Sequence, residues 1–377
     1  MIAQWILPIL LVQSAVLGLN LWYWRRRNPR RQKGETSTLP VLSVLIPIRN
    51  ERDKISALVD ALREQTYDKV QIILCDDSSD DGTREWLQHN LPEYHESLLL
   101  SWFPAPEKPA DWVGKNWACF HLGQKAQGDW LVFMDADIQL RKDSLETLAQ
   151  YLASLSGKRE PVHLVTAIPT LLAPSLLIGL LKNMLPFSIF TLLPLPLAEA
   201  HPHPAFAFAN GQLIAFPKAF YTRTNPHQRV RHAILEDVQL ARVVKSEDGQ
   251  VRVIDGRSLL QVSMYNSLQE AVDGFSKNAV AICGAVWSAL LVAVMIALVY
   301  LLPLAEGIVS NFSTWHAIAG ILSITLFSLS GWMAGLPAWY GLLYPVSVLI
   351  GEWTLWRSMA WYSRGTVKWK GRIYQVS

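Results

Sequence analysis

Several short polar clusters in this chain carry residue types that could do chemistry. Asp135 and Asp137 form an acidic pair two residues apart. On extended backbone such residues face the same way, so both carboxylates can address one ion. Hard oxygen ligands suit Mg2+ or Mn2+, and magnesium sites usually combine one or two carboxylates with substrate phosphates. Asp76 and Asp77 open the run D-D-S-S-D-D-G-T at residues 76–83. Its glycine and serines are turn formers, and Ser79 or Asp81 could cap a helix. Turn chemistry does not explain two acids in tandem before it; these can accept hydrogen bonds from a nucleobase or a ribose. Glu236 and Asp237 stand before a helical pattern. A helix start favours acids on electrostatic grounds alone. The chemical alternative is a general base, which removes the proton of a hydroxyl as that hydroxyl attacks.

The elements that must position these clusters read as alternating strands and helices. Residues 41–47, 70–75, 98–103 and 130–134 are short apolar runs of the kind that form buried parallel strands. Residues 50–65 and 115–126 have helical periodicity, and another helix starts near residue 81. Strand alternating with helix predicts a parallel sheet wound with helices, which binds ligands beyond the carboxyl ends of its strands. Arg49, Asn50 and Glu51 follow the first strand, Asp76 and Asp77 the second, and Asp135 to Asp137 the run 130–134. A D-x-D pair alone is also a pair of loop-capping aspartates; its place after an apolar strand favours the ion.

Composition places this domain on a membrane. Of 377 residues 51% are hydrophobic and only 17% charged, too apolar for an ordinary soluble enzyme. Residues 2–24, 279–303 and 307–351 carry no Asp, Glu, Lys or Arg. A helix crosses the hydrocarbon core with about 20 apolar residues, so the first two stretches have the length of one span and the third that of two. Arg25, Arg26, Arg27, Arg30, Arg31 and Lys33 follow the first stretch. That order predicts an uncleaved anchor at residues 1–24, a basic linker at 25–39 and a catalytic domain at 40–278 facing the cytoplasm. Membrane helices follow at 279–357, and a basic tail at 358–377. Three spans after the domain would leave the tail outside, whereas Arg364, Lys368, Lys370 and Arg372 favour inside; either one of the last two apolar segments is re-entrant or the charge rule fails there, and a cytoplasmic tail is the expectation. Residues 171–200 are apolar but broken by Pro174, Pro186, Pro194 and Pro196. A single crossing there would part Asp137 from Asp237, so an interfacial or re-entrant segment is expected, with a buried helical insertion as the alternative.

The remaining features exclude other classes. The net charge of +3 is largely the juxtamembrane cluster, and no basic face interleaved with aromatics speaks for nucleic acid. Cys75, Cys119 and Cys283 are far apart without metal spacing and read as small buried hydrophobes. His201-Pro202-His203 reads as a polar loop rather than a metal site.

Four motifs, S-V-L-I-P-I-R-N-E (43–51), C-D-D-S-S-D-D-G-T (75–83), D-A-D (135–137) and L-E-D (235–237), together resemble the family 2 glycosyltransferases of GT-A fold. The likeness runs over about 240 residues. It implies an α/β nucleotide-diphospho-sugar transferase in which Asp76 or Asp77 contacts the base of the donor and Asp137 ligates the metal with Asp135. It also implies that Asp237, beside Glu236, is the catalytic base, and that Pro47, Asn50 and Glu51 line the donor site. W-V-G-K-N-W-A (112–118), N-G-Q (210–212), G-F-S-K-N (274–278) and W-K-G-R-I-Y (369–374) resemble the membrane subgroup that glycosylates carotenoids, hopanoids or ceramide. By that likeness Lys115 approaches the donor, with a UDP-sugar favoured. Polysaccharide synthases of the superfamily carry Q-x-x-R-W before their membrane helices. Here F-S-K-N stands instead, which argues against a processive polymerase; its one cation, Lys277, is a further candidate for the donor site beside Asp135 and Lys115.

The resulting expectation is an inverting transfer of one sugar to a membrane lipid. Two rivals are a synthase of polyprenyl-phosphate sugars, whose acceptor is already ionised, and a non-catalytic lipid-binding protein on the same fold.

Overall fold

The computed structural model describes residues 3–29, 39–155, 161–369 and 372–375. Arg30, Arg31 and Lys33 of the basic linker, and Lys370 of the tail, lie outside the described residues. The chain divides into two compact units. One comprises Trp24–Thr170 and Leu197–Val262; the other comprises Met1–Tyr23, Leu171–Pro196 and Ser263–Ser377. The first unit therefore ends at residue 262, and residues 263–278 group with the apolar helices.

The first unit is built on a seven-stranded sheet in the order Leu100–Pro104, Val70–Asp76, Leu42–Ile48, Trp130–Met134, Leu213–Pro217, Val162–Ile168, Gln250–Asp255. All neighbours pair in parallel except Leu213–Pro217, which runs against both of its neighbours. Leu42–Ile48, Val70–Asp76 and Trp130–Met134 are apolar on both faces because both faces are covered, as expected of central parallel strands. One core packs Val44, Ile46, Leu58, Leu62 and Leu148 on one side of the sheet. The other packs Leu45, Ile73, Phe133, Leu122 and Leu240 on the opposite side. Since the reversed strand enters the sheet at Leu213, residues 210–212 lie on the same rim as the carboxyl ends of the parallel strands.

The predicted helix over 50–65 is shorter, Ile55–Arg63. Asn50 takes a left-handed conformation, φ 53°, which asparagine tolerates better than most residues. Its side chain donates to Asp80 and accepts from the Asp80 N–H, so residues 49–52 are spent tying the first loop to the second. Arg52 N–H to Asp81 and Glu51 N–H to Thr83 complete that tie.

The second unit contains three helices long and apolar enough to cross a membrane: Gln4–Trp24, Val286–Ser310 and Thr314–Met333. The third apolar stretch thus yields one such helix among the described residues, where its length predicted two. Gly335, at φ +83°, and Pro337 end the helix, and the chain continues through a 3-10 segment, Ala338–Leu343, into Tyr344–Tyr362. The helix Leu176–Leu192 has 17 residues with Pro186 inside. At ~1.5 Å per residue it reaches roughly 26 Å, short of a core of about 30 Å. Asn20 binds this segment, donating to Phe190 O and Leu193 O and accepting from Leu195 N–H. Lys182 is 1% exposed, and its ammonium donates to Leu172 O and Ser263 O at 2.6 Å each.

In the first unit the buried Ser43 hydroxyl donates to Gln71 and accepts from the N–H groups of Gln127 and Gly128. It joins two neighbouring strands to the loop before a third. Ser43→Ala takes this partner from the Gly128 N–H, whereas the Gln127 N–H keeps Gln71 Oε1 at 3.0 Å, at a cost of roughly 1–3 kcal/mol. The melting temperature of the detergent-solubilised protein is expected to fall by several degrees. An unchanged melting temperature would contradict this account of the joint.

Candidate functional site

Three elements bring charge to the rim. Helix Gly114–Lys125 buries Ala118, Cys119 and Leu122. Lys115 stands one turn before Cys119 on that same face, where the helix end directs it over the sheet rim. The strand Trp130–Met134 delivers Asp135 one residue past its last paired position, Met134 against Leu213. Helix Glu236–Ser246 buries Leu240, Ala241 and Val244, and its first two residues are Glu236 and Asp237. The Lys115 ammonium lies 2.6 Å from Asp135 Oδ1 and 2.5 Å from Glu236 Oε1. Burial opposes its charge, but Asp135 and Glu236 outweigh burial and hold the ammonium well above the usual lysine range.

Two backbone N–H groups hold Asp237. Its Oδ1 accepts from Val238 N–H at 2.8 Å and its Oδ2 from Gly211 N–H at 3.1 Å. Burial, then the adjacent Glu236, push its carboxyl up to about 7, against the pull of Val238 N–H, Lys115 and Gly211 N–H. Such a group is half-ionised near neutral pH, as a proton acceptor in catalysis should be. Gly211 is the point over which these groups converge. A Cβ there would meet Lys115 Nζ at 3.4 Å and one oxygen each of Asp135 and Asp237 at 3.7 Å.

Asp137 has the environment of an ion ligand. Its Oδ1 is buried without a hydrogen-bond partner. Burial, then Asp135 and Glu51, push its carboxyl up to about 6. No group of three or more His, Cys, Asp or Glu side chains able to hold a metal occurs among the described residues. A cation held by Asp137 and Asp135, with its other positions filled by substrate phosphate and water, fits that donor set.

The other expected residues fall as follows. Asp76 is fully buried; Oδ2 pairs with Arg84 Nε at 2.7 Å and Oδ1 accepts from Ser79 N–H. Asp77 is 4% exposed at the start of the loop, and Arg49 donates to its carbonyl at 2.6 Å. Pro47 is in the strand, opposite Cys75. Glu51 lies near enough to Asp137 to raise it, and Asn50 is engaged with Asp80. Lys277, the other donor-site candidate, belongs to helix Leu268–Cys283 of the other unit. His201 and His203 use their ring Nδ1 atoms to accept backbone N–H groups two residues on. Asn116, which the sequence reading passed over, donates to the carbonyls of Val230 and Ala233 and ties the Lys115 helix to the segment before Glu236.

The fold is of the GT-A type found in solved glycosyltransferase structures. Residues 43–156 match the family described as Glycosyl transferase family 2, a stretch that includes Lys115 and the Asp135/Asp137 pair and stops short of Glu236. A 4,4'-diaponeurosporenoate glycosyltransferase of Staphylococcus haemolyticus is 23% identical over 253 residues, 66% of this chain and 63% of that protein. The protein of the same name from Staphylococcus aureus is 24% identical over 281 residues, 72% of this chain and 69% of that one. The chain therefore spans less than two thirds of the first relative. A mannosyltransferase from Pyrobaculum calidifontis, solved with GDP-Man and Mn2+, superposes with a TM-score of 0.52 at 17% identity. It covers 93% of this chain and 99% of its own, a likeness of fold.

The raised carboxyls have a consequence for stability. The folded state holds its protons on Asp137 up to about pH 6, whereas an unfolded chain releases them near pH 4. Stability from this group is therefore present at low pH and lost as pH rises through about 6. Asp137→Asn removes the buried charge, so the metal-free variant at pH 7.5 is expected to melt a few degrees above the unaltered protein. A lower melting temperature would mean that the Asp137 carboxylate is stabilised by the fold itself, with no need of a cation.

Proposed function

We propose that this protein transfers one sugar from a nucleotide-diphospho-sugar to a membrane lipid, with inversion at the sugar carbon. The observation that carries the reading is the convergence of the Lys115–Asp135–Glu236 cluster with the half-buried, backbone-held Asp237. Asp237 acts as the base: it takes the acceptor hydroxyl's proton as that oxygen attacks the sugar carbon and the bond to the diphosphate breaks. Attack opposite the leaving group needs no covalent enzyme intermediate. Asp137 and Asp135 would hold Mg2+ or Mn2+, whose charge offsets that developing on the diphosphate. Lys115 reaches the same rim and adds a second positive charge to it. Asp77 is the proposed contact to the nucleotide base, because the Asp76 oxygens are taken by Arg84 and Ser79. Pro47, Asn50 and Glu51 shape the loop beside it, and a UDP-sugar is the donor to test first.

The lipid acceptor rests on two supports: the three candidate spans, and relatives named as glycosyltransferases of 4,4'-diaponeurosporenoate. The first unit is proposed to face the cytoplasm, since Arg25, Arg26 and Arg27 follow the first span. Leu176–Leu192 is proposed to enter the membrane without crossing it. Two later spans then return the chain to the cytoplasmic side, in agreement with the basic tail. Lys277 has no proposed role in the chemistry.

Asp237→Asn is expected to keep donor affinity within a few-fold and to lower turnover by about 10²–10⁴. Asp137→Asn is expected to weaken donor and metal binding together. Turnover of the unaltered enzyme should rise with pH through about 7, where Asp237 ionises, and level off above. EDTA should abolish transfer and Mn2+ or Mg2+ restore it. Calorimetry of donor binding and a transfer assay with the lipid acceptor measure all of these. Transfer by Asp237→Asn at the unaltered rate would move the base elsewhere and favour an acceptor that is already ionised, such as a polyprenyl phosphate.

A further inference from the structure

Thr166 lies in the strand Val162–Ile168 and is fully buried. Its hydroxyl accepts from Asn210 N–H at 2.8 Å and donates to Asn210 C=O at 3.1 Å. One side chain thus satisfies both backbone polar groups of one residue. The ladder between this strand and Leu213–Pro217 pairs Val165 with Ala215 and Thr166 with Ile214. Beyond that pair the Thr166 side chain takes over as the partner of the chain at residue 210.

The Asn210 carbonyl and the Gly211 N–H belong to one peptide unit. That unit is planar and trans, so its C=O and N–H point in opposite directions. Thr166 holds the carbonyl end; Asp237 Oδ2 receives the N–H end. A hydrogen bond to the carbonyl also polarises the peptide and strengthens its N–H as a donor. The other Asp237 oxygen is fixed by the N–H of the next residue in its own helix. The Gly211 N–H is therefore the one contact of the two that ties Asp237 to the sheet.

We propose that Thr166 is a positioning residue for sugar transfer: its hydroxyl sets the 210–211 peptide, and that peptide aims the Asp237 carboxylate at the acceptor. The proposal rests on the reading of Asp237 as the base. Thr166 touches no substrate, and no pocket residue need change for its loss to be felt.

The test uses the full chain in detergent with nucleotide-sugar donor and lipid acceptor. Thr166→Val keeps the side-chain shape and removes the hydroxyl; Thr166→Ser keeps the hydroxyl. Thr166→Val is expected to lower kcat by about 10- to 100-fold, the scale of a small misplacement of a catalytic group, with donor KM within about two-fold. Thr166→Ser is expected to return kcat to within about three-fold of the unaltered enzyme. Combined with Asp237→Asn, Thr166→Val should add little further loss, because residues acting as one unit are not additive. If Thr166→Val gives no folded protein, Thr166→Cys, with a weak S–H donor, replaces it in the cycle. Unaltered kcat in Thr166→Val, or losses that multiply in the double variant, would overturn the positioning role while leaving the base in place. Unaltered transfer by Asp237→Asn would overturn the base and the positioning role together.

Discussion

The Lys115 ammonium, 2.6 Å from Asp135 and 2.5 Å from Glu236, is where three separately built parts of the first unit meet. A helix supplies the cation, a central strand supplies one acid, and the start of a second helix supplies the other. Burial, and after it the neighbouring carboxylates, push the Asp137 and Asp237 carboxyls up, so each acid on this rim raises the cost of the next. One positive charge placed between two of them makes the cluster tenable. Asn116, next in sequence to Lys115, fastens the same helix to the segment before Glu236, so the contact does not depend on the ion pair alone. An acidic rim with one internal cation has charge to offer a divalent ion and a diphosphate. It also leaves Asp237 held by the backbone N–H groups of Gly211 and Val238.

The sequence shows the parts of this arrangement that are local. The strands 70–75 and 130–134 are legible because burial on both faces demands continuous apolar residues, and the acids stand out because they interrupt that rule at the strand ends. What depends on tertiary contacts is not legible. The Asn116 bonds span 114 and 117 residues, and the Thr166 clamp on Asn210 spans 44. A threonine in a strand has ample reason to be there without any such contact. Residues 50–54 look helical by composition but are drawn into a loop by bonds to Ser79, Asp80, Asp81 and Thr83. Likewise 307–351 is apolar throughout, and only Gly335 and Pro337 betray that its second half turns aside.

The second unit, which holds the three helices long and apolar enough to cross a membrane, follows a different logic. Its buried polar side chains are spent on backbone. Asn20 serves three groups at the end of Leu176–Leu192, Lys182 serves two carbonyls, and Asn183 donates to Phe327 O. Phe187, Tyr300, Phe327 and Tyr344 pack around one another beside them, with Phe187 and Phe327 stacked at 4.0 Å. The short apolar helix Leu176–Leu192 thereby gains a fixed place within the unit, and its polar anchors explain why an apolar run broken by prolines is retained as a helix.

The account centres on direct displacement: one base, Asp237, one attack opposite a metal-held diphosphate, and no sugar-enzyme bond. The configuration of the sugar carbon in the first-formed product reports on this most directly. Proton NMR of the glycosylated lipid, recorded early in the reaction with an α-linked nucleotide-sugar donor, gives that configuration from the anomeric coupling constant. The account predicts a β-linked product. An α-linked product would mean that a second group attacks the sugar or that the leaving group guides the acceptor, and the role given to Asp237 would not stand.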